Sequence, residues 1–270
     1  MQIEDYTGGD AFQREKRTVF STEWLPICAE RQLAGPGDFV SLSVGGWGVV
    51  AVRDKEVTLR VLRNACRHQN MPVVAMPAGR CERFRCRFHG WTYDLQGCFL
   101  EAPTPVAPTD PASPNNDMRV LATDCRSGIA FFSLSPQASP PAALAEALPP
   151  YGGTITTEIA CNWKVCVEHL LSRGIAWHWP LLALRSEPGG VVVIEQVVPH
   201  TFLRTRLLTH VFGAAVGSQG PSVEAMKQVC ERLQLDRNAG IMATGDNALL
   251  AAFHRQLADA RAQDCAPAPP

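Results

Sequence analysis

The stretch that decides the fold lies between residues 64 and 94. It opens with Asn64-Ala-Cys66-Arg-His68 and, after 17 further residues, continues as Cys86-Arg-Phe-His89, followed by Gly-Trp-Thr-Tyr-Asp. Each segment offers one thiolate and one imidazole. Cysteines clustered with histidines in this way indicate a metal site, because the chain is neither small nor visibly secreted and disulfides are therefore not expected.

The spacing favours a two-iron cluster over a single metal ion. A two-iron, two-sulfide cluster needs two terminal ligands on each iron, and two Cys with two His give a Rieske centre. Structural zinc is the alternative, but zinc ligands are usually spaced C-x₂₋₄-C and H-x₃₋₅-H, and neither segment fits. We therefore predict a Rieske [2Fe-2S] cluster whose metal ligands are Cys66, His68, Cys86 and His89.

These residues resemble the Rieske domain of non-haem iron oxygenase α subunits of the aromatic-ring-hydroxylating type. The resemblance covers most of the chain, since it extends to Glu23-Trp24, Gly37-Asp38-Phe39, Asn162-Trp163-Lys164 with Glu168, and Phe253-His254. It implies an α+β protein in which an all-β Rieske domain precedes a helix-grip (START-like) α+β domain. That second domain is expected to be shortened, because only about 120 residues follow Tyr151.

We predict three segments: a Rieske domain with its lead-in and a proline-rich connector at 1–140, a truncated oxygenase-like domain at 141–262, and a disordered tail at 263–270. Apolar runs and turn residues predict the secondary structure. Strands are expected at Phe39–Val44, Val49–Val52, Val57–Leu62, Ile129–Leu134, Val191–Val198 and Phe202–Phe212, the last two joined at Pro199-His200. Helices are expected at Ala142–Leu148, from Asn162 to about His178, from Pro221-Ser222 to about Leu235, and through Ala260 with Asp246 as its cap.

The catalytic half departs from the family pattern. In the family, two His and one carboxylate hold Fe(II), and an acidic residue bridges toward the neighbouring subunit's cluster. Here the bridging acid falls on Ser172, the two His on Ile175 and Pro180, and the carboxylate on Met226. Fe(II) sites of this class use imidazole and carboxylate ligands. The sequence therefore argues against a mononuclear Fe(II) site and predicts no independent oxygenase turnover.

A displaced iron site is the alternative, with Glu168, His169 and His178 as its candidate ligands. On one continuous helix the two histidines would lie on opposite faces, because nine residues correspond to half a turn of phase. They could face one ion only if the helix breaks at Gly174. The other histidines (His200, His210 and His254) are predicted to be structural, and Cys81 and Cys98 to be small buried thiols.

Composition excludes several classes of protein. The chain has 270 residues, 46% hydrophobic and 19% charged, with a net charge of −1. Disordered chains are poorer in apolar residues, and a nearly neutral chain is not expected to bind nucleic acid or anionic membranes. The first twenty residues contain no apolar signal region, so we expect a cytoplasmic protein.

Residues 60–89 contain seven arginines and one acid, Glu82. They could form a docking face for an acidic ferredoxin, or they could contact a neighbouring subunit. The expected partners are a ferredoxin or flavin reductase and an intact oxygenase α subunit in a trimer-based homo- or hetero-oligomer. The predicted function is electron transfer to that partner's iron. The alternatives are a self-sufficient oxygenase that hydroxylates or demethylates a small organic substrate, and a non-catalytic redox or scaffold subunit.

Overall fold

The computed structural model describes residues 1–135, 138–141, 143–144, 147–216, 222–242 and 247–262. Its helices are α1 Glu4–Thr7, α2 Gly9–Thr18, α3 Trp163–Ser172, α4 Ser222–Asn238 and α5 Ala248–Ala262. Its first ten strands are β1 Trp24–Ala29, β2 Asp38–Val44, β3 Trp47–Arg53, β4 Leu59–Arg63, β5 Ala78–Arg80, β6 Phe84–Arg85, β7 Thr92–Tyr93, β8 Phe99–Glu101, β9 Val120–Arg126 and β10 Ile129–Ser133. The last five are β11 Tyr151–Ile159, β12 Ala176–His178, β13 Leu182–Glu187, β14 Val191–Thr201 and β15 Arg204–Phe212.

The N-terminal half is β-rich, as predicted. Seven antiparallel strands pair in the order β1-β10-β9-β4-β3-β2-β5, and in the small sheet β6-β7-β8 the second Cys/His segment connects β6 to β7. Four consecutive residues of β3, 49–52, are buried because both faces of this part of the sheet pack on hydrophobic clusters. The predicted strand Val57–Leu62 begins two residues later, since Val57 sits in a turn at φ +61°.

The C-terminal half is a five-stranded antiparallel sheet, β11-β15-β14-β13-β12, with α3 packed against it. This arrangement confirms the predicted α+β class. The hairpin between β14 and β15 is tighter than predicted. Pro199 still pairs with Thr205, and the turn lies at Phe202-Leu203 after a bulge in β14.

Helix α3 ends earlier than predicted. The Asn162 side chain caps its first turn by accepting a hydrogen bond from the Lys164 N–H at 3.1 Å. Its last turn closes at Gly174, whose φ of +71° suits a residue without Cβ. The prediction of a helix reaching His178 is therefore wrong. Residues 176–178 instead form strand β12.

Two further helix predictions concern residues whose placement is only partly described. The predicted helix Ala142–Leu148 includes three residues outside the described ranges, and the predicted cap Asp246 also lies outside them, as do Pro221 and the tail 263–270. Within the described part, the side chain of Asn247 accepts a hydrogen bond from the Leu249 N–H at 2.9 Å and caps α5.

The N-terminal helices α1 and α2 were not predicted. They pack on α4 and α5, far along the chain, and contribute Tyr6 and Phe12 to the largest hydrophobic core. Buried charges join them to α3. Glu15 accepts hydrogen bonds from Lys164 Nζ at 2.8 Å and Trp163 Nε1 at 2.7 Å, and both ends of the Glu15–Lys164 ion pair are fully buried.

Candidate metal centre

The two Cys/His segments fold into loops with the same backbone pattern. In the first, the Cys66 N–H donates to Met71 O at 2.8 Å and the Asn70 N–H donates to Cys66 O at 2.7 Å. In the second, the Cys86 N–H donates to Trp91 O at 2.8 Å and the Gly90 N–H to Cys86 O at 2.9 Å. Each loop is thus closed five residues after its cysteine.

This closure needs a left-handed residue four positions after each cysteine. Asn70 has φ +57° and Gly90 has φ +75°. Asn and Gly are the residues that adopt this conformation at least cost. The sequence carried this signal, but the spacing of metal ligands alone did not reveal it.

The predicted ligands lie together, with the thiols inside and the imidazoles outside. Cys66 is 1% exposed and Cys86 2%, whereas His68 and His89 are half-buried. The two imidazole rings meet edge to face, with centroids 4.7 Å apart.

The donor set fits a [2Fe-2S] cluster. His68 Nδ1 is buried and has no hydrogen-bond partner among the described residues, which is unfavourable for a polar atom unless a ligand binds it. Burial raises the pKa of the Cys66 thiol, so an unmetallated site would hold a neutral thiol, and bound iron is what would stabilise the thiolate.

Two aromatic residues outside the predicted ligand set hold these loops. Tyr93 Oη lies 3.2 Å from Cys66 Sγ and accepts a hydrogen bond from the Arg67 N–H at 3.1 Å. The Trp91 ring stacks on His68 with centroids 5.4 Å apart, and its Nε1 donates to Val106 O at 2.8 Å. Tyr93 therefore fixes the first loop and Trp91 orients the imidazole.

The surface beside the second loop is basic and partly apolar. Arg85, Arg87 and Phe88, called the cluster rim below, are exposed and line a cavity of about 660 Å³ with His89 and residues of the connector. Phe88 is 55% exposed. Among the described residues, Arg85 and Arg87 make no side-chain hydrogen bond or ion pair.

The other arginines of this region are engaged. Arg60, Arg80 and Arg83 form ion pairs with Asp54, Asp38 and Glu101, respectively. Of the two cysteines predicted to be buried near the loops, Cys81 is half-buried and Cys98 is exposed. The prediction for Cys98 is wrong, because its strand-flanking turn faces solvent.

The positions that align with the family's iron ligands are apolar and buried. Ile175 is 8% exposed and Met226 4%, and both belong to the largest hydrophobic core. Pro180 is also buried, whereas Ser172, at the position of the bridging acid, is exposed. Nearby, Trp177 and Trp179 pack against Phe253 with ring centroids 5.9 and 6.2 Å apart.

The candidate ligands of the displaced iron site, Glu168, His169 and His178, do not share one helix, because α3 ends between the two histidines. His169 lies on α3 and His178 on β12, so the argument from helical phase does not apply. Glu168 is already bound by three groups: it accepts from Tyr6 Oη and from Arg237 Nη2 at 3.2 Å, and His254 Nε2 lies at 2.8 Å. No group of three or more His, Cys, Asp or Glu side chains in the described ranges is placed around a single metal ion, whereas a [2Fe-2S] cluster divides its four ligands between two irons.

Comparison with known proteins places a Rieske [2Fe-2S] domain at residues 23–121, which includes all four predicted ligands. The chain is 31% identical over 186 residues to the benzene 1,2-dioxygenase subunit alpha of Pseudomonas putida, covering 62% of this chain and 41% of that protein. It is 24% identical to the carnitine monooxygenase oxygenase subunit of Acinetobacter pittii, covering 62% of this chain and 48% of that protein. The matched region thus spans less than half of each relative.

The fold is shared with solved Rieske oxygenases. A quaternary ammonium Rieske monooxygenase in complex with L-carnitine matches with a TM-score of 0.77 at 19% identity, over 96% of this chain and 95% of that one. Dicamba monooxygenase bound to dicamba matches with a TM-score of 0.68 at 14% identity, over 92% of this chain and 100% of that one. Within the described residues, each helix is too short or too polar to cross a lipid bilayer.

Proposed function

We propose that this chain, a shortened relative of Rieske oxygenase α subunits that carries a Rieske [2Fe-2S] domain, is the electron-transfer component of an oxygenase. In this role it accepts electrons from a ferredoxin or flavin reductase and delivers them to a mononuclear iron in a partner subunit. One observation carries the proposal. The four Cys/His ligand candidates lie together, while the positions aligned with the family's iron ligands are apolar and buried.

When bound, a [2Fe-2S] cluster supplies one-electron transfer, and imidazole ligands raise its potential above that of all-cysteine clusters. Cys66 and Cys86 would hold it from the buried side, and His68 and His89 from the exposed side. A docked partner would therefore meet the imidazole edges first. This is the shortest approach to the site, because the thiols lie behind the rings.

The cluster rim favours an acidic electron donor as the docked partner. Its two guanidinium groups are exposed and have no internal counter-charge among the described residues, and Phe88 adds an apolar contact between them. Opposite charge accelerates protein encounter at low salt, and an exposed aromatic residue beside arginines is typical of interface centres. Arg83 is less suited to docking, since it is paired with Glu101.

The test combines iron analysis with turnover. Purified holoprotein is expected to contain two irons per chain and to show a Rieske-type electron paramagnetic resonance spectrum. With reductase, NADH and added Fe(II), it should oxidise no substrate from a panel of aromatic and N-methyl compounds unless an intact α subunit is added. The Cys86→Ala variant, lacking the cluster, should fail to support that partner.

A self-sufficient oxygenase is the second candidate, and one observation favours it. The structural match covers 95% of the quaternary ammonium monooxygenase chain, so the C-terminal fold extends over nearly all of its counterpart. Three irons per chain, or substrate oxidation stoichiometric with NADH by this chain alone, would establish this candidate and refute the first. NADH consumption without product would favour neither, because a reduced cluster can lose electrons to oxygen.

A further inference from the structure

Three cysteines of the C-terminal half meet in the hydrophobic core, apart from the predicted cluster ligands. Cys161, Cys166 and Cys230, called the thiol triad below, are fully buried in the largest core cluster. The Sγ atoms of Cys161 and Cys166 lie 3.3 Å apart, and the sulfur of Cys230 hydrogen-bonds with both thiols. A buried cysteine ordinarily serves as a small apolar side chain, so it is the contact among sulfurs that sets this group apart.

The start of α3 brings two of the sulfurs together. Asn162 is the N-cap of this helix, so Cys161 precedes the cap and Cys166 occupies the fourth helical position. Side chains at these two positions commonly pack on each other across the first turn of a helix, and both are then usually apolar. Here two thiols make that contact. Thr205 Oγ1 donates to Cys161 O at 2.9 Å, which fixes this turn to β15.

Helix α4 supplies the third thiol and is tied to the same turn by two hydrogen bonds. Glu231 Oε1 accepts from the Ala160 N–H at 3.0 Å, and Gln234 Oε1 accepts from the Asn162 N–H at 2.8 Å. Because Cys230 directly precedes Glu231, these bonds hold its side chain against the turn. Ala160 and Glu231 also line a surface cavity of about 320 Å³. A small solute can therefore reach the chain neighbours of two triad residues, and local opening of the two bonds would admit it to the sulfurs.

Cys230 is the nucleophile that the environment favours. Hydrogen bonding with Cys161 and Cys166 lowers the pKa of the Cys230 thiol, while burial acts in the opposite direction. The thiolate, and not the thiol, is the form of cysteine that attacks an oxidant. Cys230 therefore has two neighbours that stabilise its reactive form and that can also receive the oxidised product.

We propose that the thiol triad is a redox modification site, at which a peroxide forms a reversible disulfide between Cys161 and Cys166. Their sulfurs are already in contact and need to approach by little more than 1 Å, since a disulfide bond is about 2.0 Å long. Disulfides of this kind in reducing compartments are typically transient and respond to oxidants. The inference does not depend on the electron-transfer role proposed above.

The reaction balances with hydrogen peroxide as the two-electron oxidant. The Cys230 thiolate attacks one oxygen, the O–O bond breaks, and a sulfenic acid and hydroxide form. The Cys161 thiol attacks the Cys230 sulfur, and its proton leaves with the sulfenic hydroxyl as water. Cys166 gives its proton to the hydroxide, attacks Cys161 Sγ and releases Cys230 as a thiolate. Two thiols and one peroxide thus become one disulfide and two waters.

Peptide mapping tests the assigned pair, because trypsin places the three cysteines in separate peptides, 127–164, 165–173 and 228–232. Holoprotein with an oxidised cluster is exposed to rising hydrogen peroxide until the exposed Cys98 is oxidised. Free thiols are then alkylated, and the digest is analysed by mass spectrometry without reductant. We expect peptide 127–164 linked to peptide 165–173, and loss of that link after treatment with dithiothreitol. The visible spectrum shows whether the cluster is still bound.

Cys28 and Cys125 provide a matched control within the same protein. Cys28 pairs with Ala130 on one side of β10, and Ala130 pairs with Cys125 on the other side. Two strand spacings, about 9.5 Å, therefore separate their backbones, which is too far for a disulfide. These two cysteines should remain unlinked under the conditions that link Cys161 to Cys166.

The Cys230→Ser variant tests which thiol reacts first. It keeps the Cys161–Cys166 pair and removes the favoured thiolate. Disulfide formation should therefore slow about 10-fold or more, because an ordinary thiol is only a few per cent ionised at neutral pH. Circular dichroism shows whether the variant is folded, and if it is not, the wild-type peptide map still tests the assigned pair. A wild-type rate in the folded variant would overturn the role of Cys230.

Three results would overturn the disulfide itself. One is the absence of a link between 127–164 and 165–173 once Cys98 is oxidised. The second is an end product linked through 228–232, and the third is an equal yield of the Cys28–Cys125 link, which would indicate unfolding. Iron content and partner-dependent turnover are measured separately on reduced, untreated protein. Failure of this proposal is therefore distinct from failure of the electron-transfer role.

Discussion

Replacing Tyr93 by Phe should lower the midpoint potential of the cluster. The phenol oxygen lies 3.2 Å from Cys66 Sγ, and burial raises the pKa of Tyr93, so the group remains an O–H donor throughout the ordinary pH range. A hydrogen bond to a ligand sulfur stabilises the reduced state more than the oxidised state, because the reduced cluster carries one more negative charge. The substitution therefore disfavours reduction.

The magnitude follows from the energy of one hydrogen bond. A net contribution of about 0.5–1.5 kcal/mol corresponds, for one electron, to a negative shift of roughly 20–65 mV. The Arg67 N–H loses its acceptor at the same time, so the first ligand loop should also become less stable. That loss appears in thermal bleaching of the cluster and is separable from the potential.

The assay is a redox titration followed by electron paramagnetic resonance on fully loaded protein. Tyr151→Phe is the matched control, since its hydroxyl contacts Thr154 at 2.7 Å on β11, outside the Rieske loops. The control should keep the wild-type potential. A Tyr93→Phe potential equal to or above that of the wild type, in protein with two irons per chain, would refute the reasoning.

Three further predictions concern docking and stability. Arg87→Glu should slow reduction of the cluster by an acidic donor, and the effect should be largest at low salt, where charges are least screened. Reduction rates measured by stopped flow that equal those of the surface control Arg31→Glu would contradict this. Glu15→Gln leaves the fully buried Lys164 ammonium without its carboxylate. The free energy of unfolding should therefore fall by about 3–5 kcal/mol, which corresponds to a decrease of roughly 6–20 °C in the Tm measured by calorimetry. A decrease of only a few tenths of a kcal/mol would contradict this prediction. Burial lowers the pKa of His210 to about 3 from its usual 6.5. Between these two pH values, His210 is therefore protonated in the unfolded state and neutral in the folded state. The free energy of unfolding should therefore fall by up to about 1.4 kcal/mol per pH unit below pH 6.5, and by less in His210→Gln, as measured by denaturant titration across that range.

The Rieske half could be predicted from sequence because its information is local. Each ligand pair and the left-handed residue that closes its loop lie within five positions of one another. The strands around them also follow from alternation over a few residues. What was missed there was the exposure of Cys98, which depends on how a turn sits against the connector and not on the residues beside it.

The C-terminal half was harder because two of its determinants act against the local pattern. The apolar periodicity of residues 162–178 continues past Gly174, yet the left-handed conformation of that glycine ends α3. The N-terminal helices were missed because a buried glutamate weakens their apolar face. Glu15 is compatible with burial because Lys164, 149 positions away, and Arg261, 246 positions away, supply its counter-charge.

The residues that carried the family resemblance in this half have structural roles here. Asn162 caps α3, Trp163 and Lys164 bind Glu15, and Glu168 is held by Tyr6, Arg237 and His254. The cap holds the first turn of α3, the other contacts fix helices to one another, and none of them needs iron. A chain can therefore keep this part of the pattern for its fold alone, while Ile175, Pro180 and Met226, at the positions aligned with the iron ligands, are buried apolar residues. The C-terminal resemblance consequently predicts the architecture of this half without predicting a reaction. The number of irons per chain is the measurement that shows whether this half also holds a mononuclear iron.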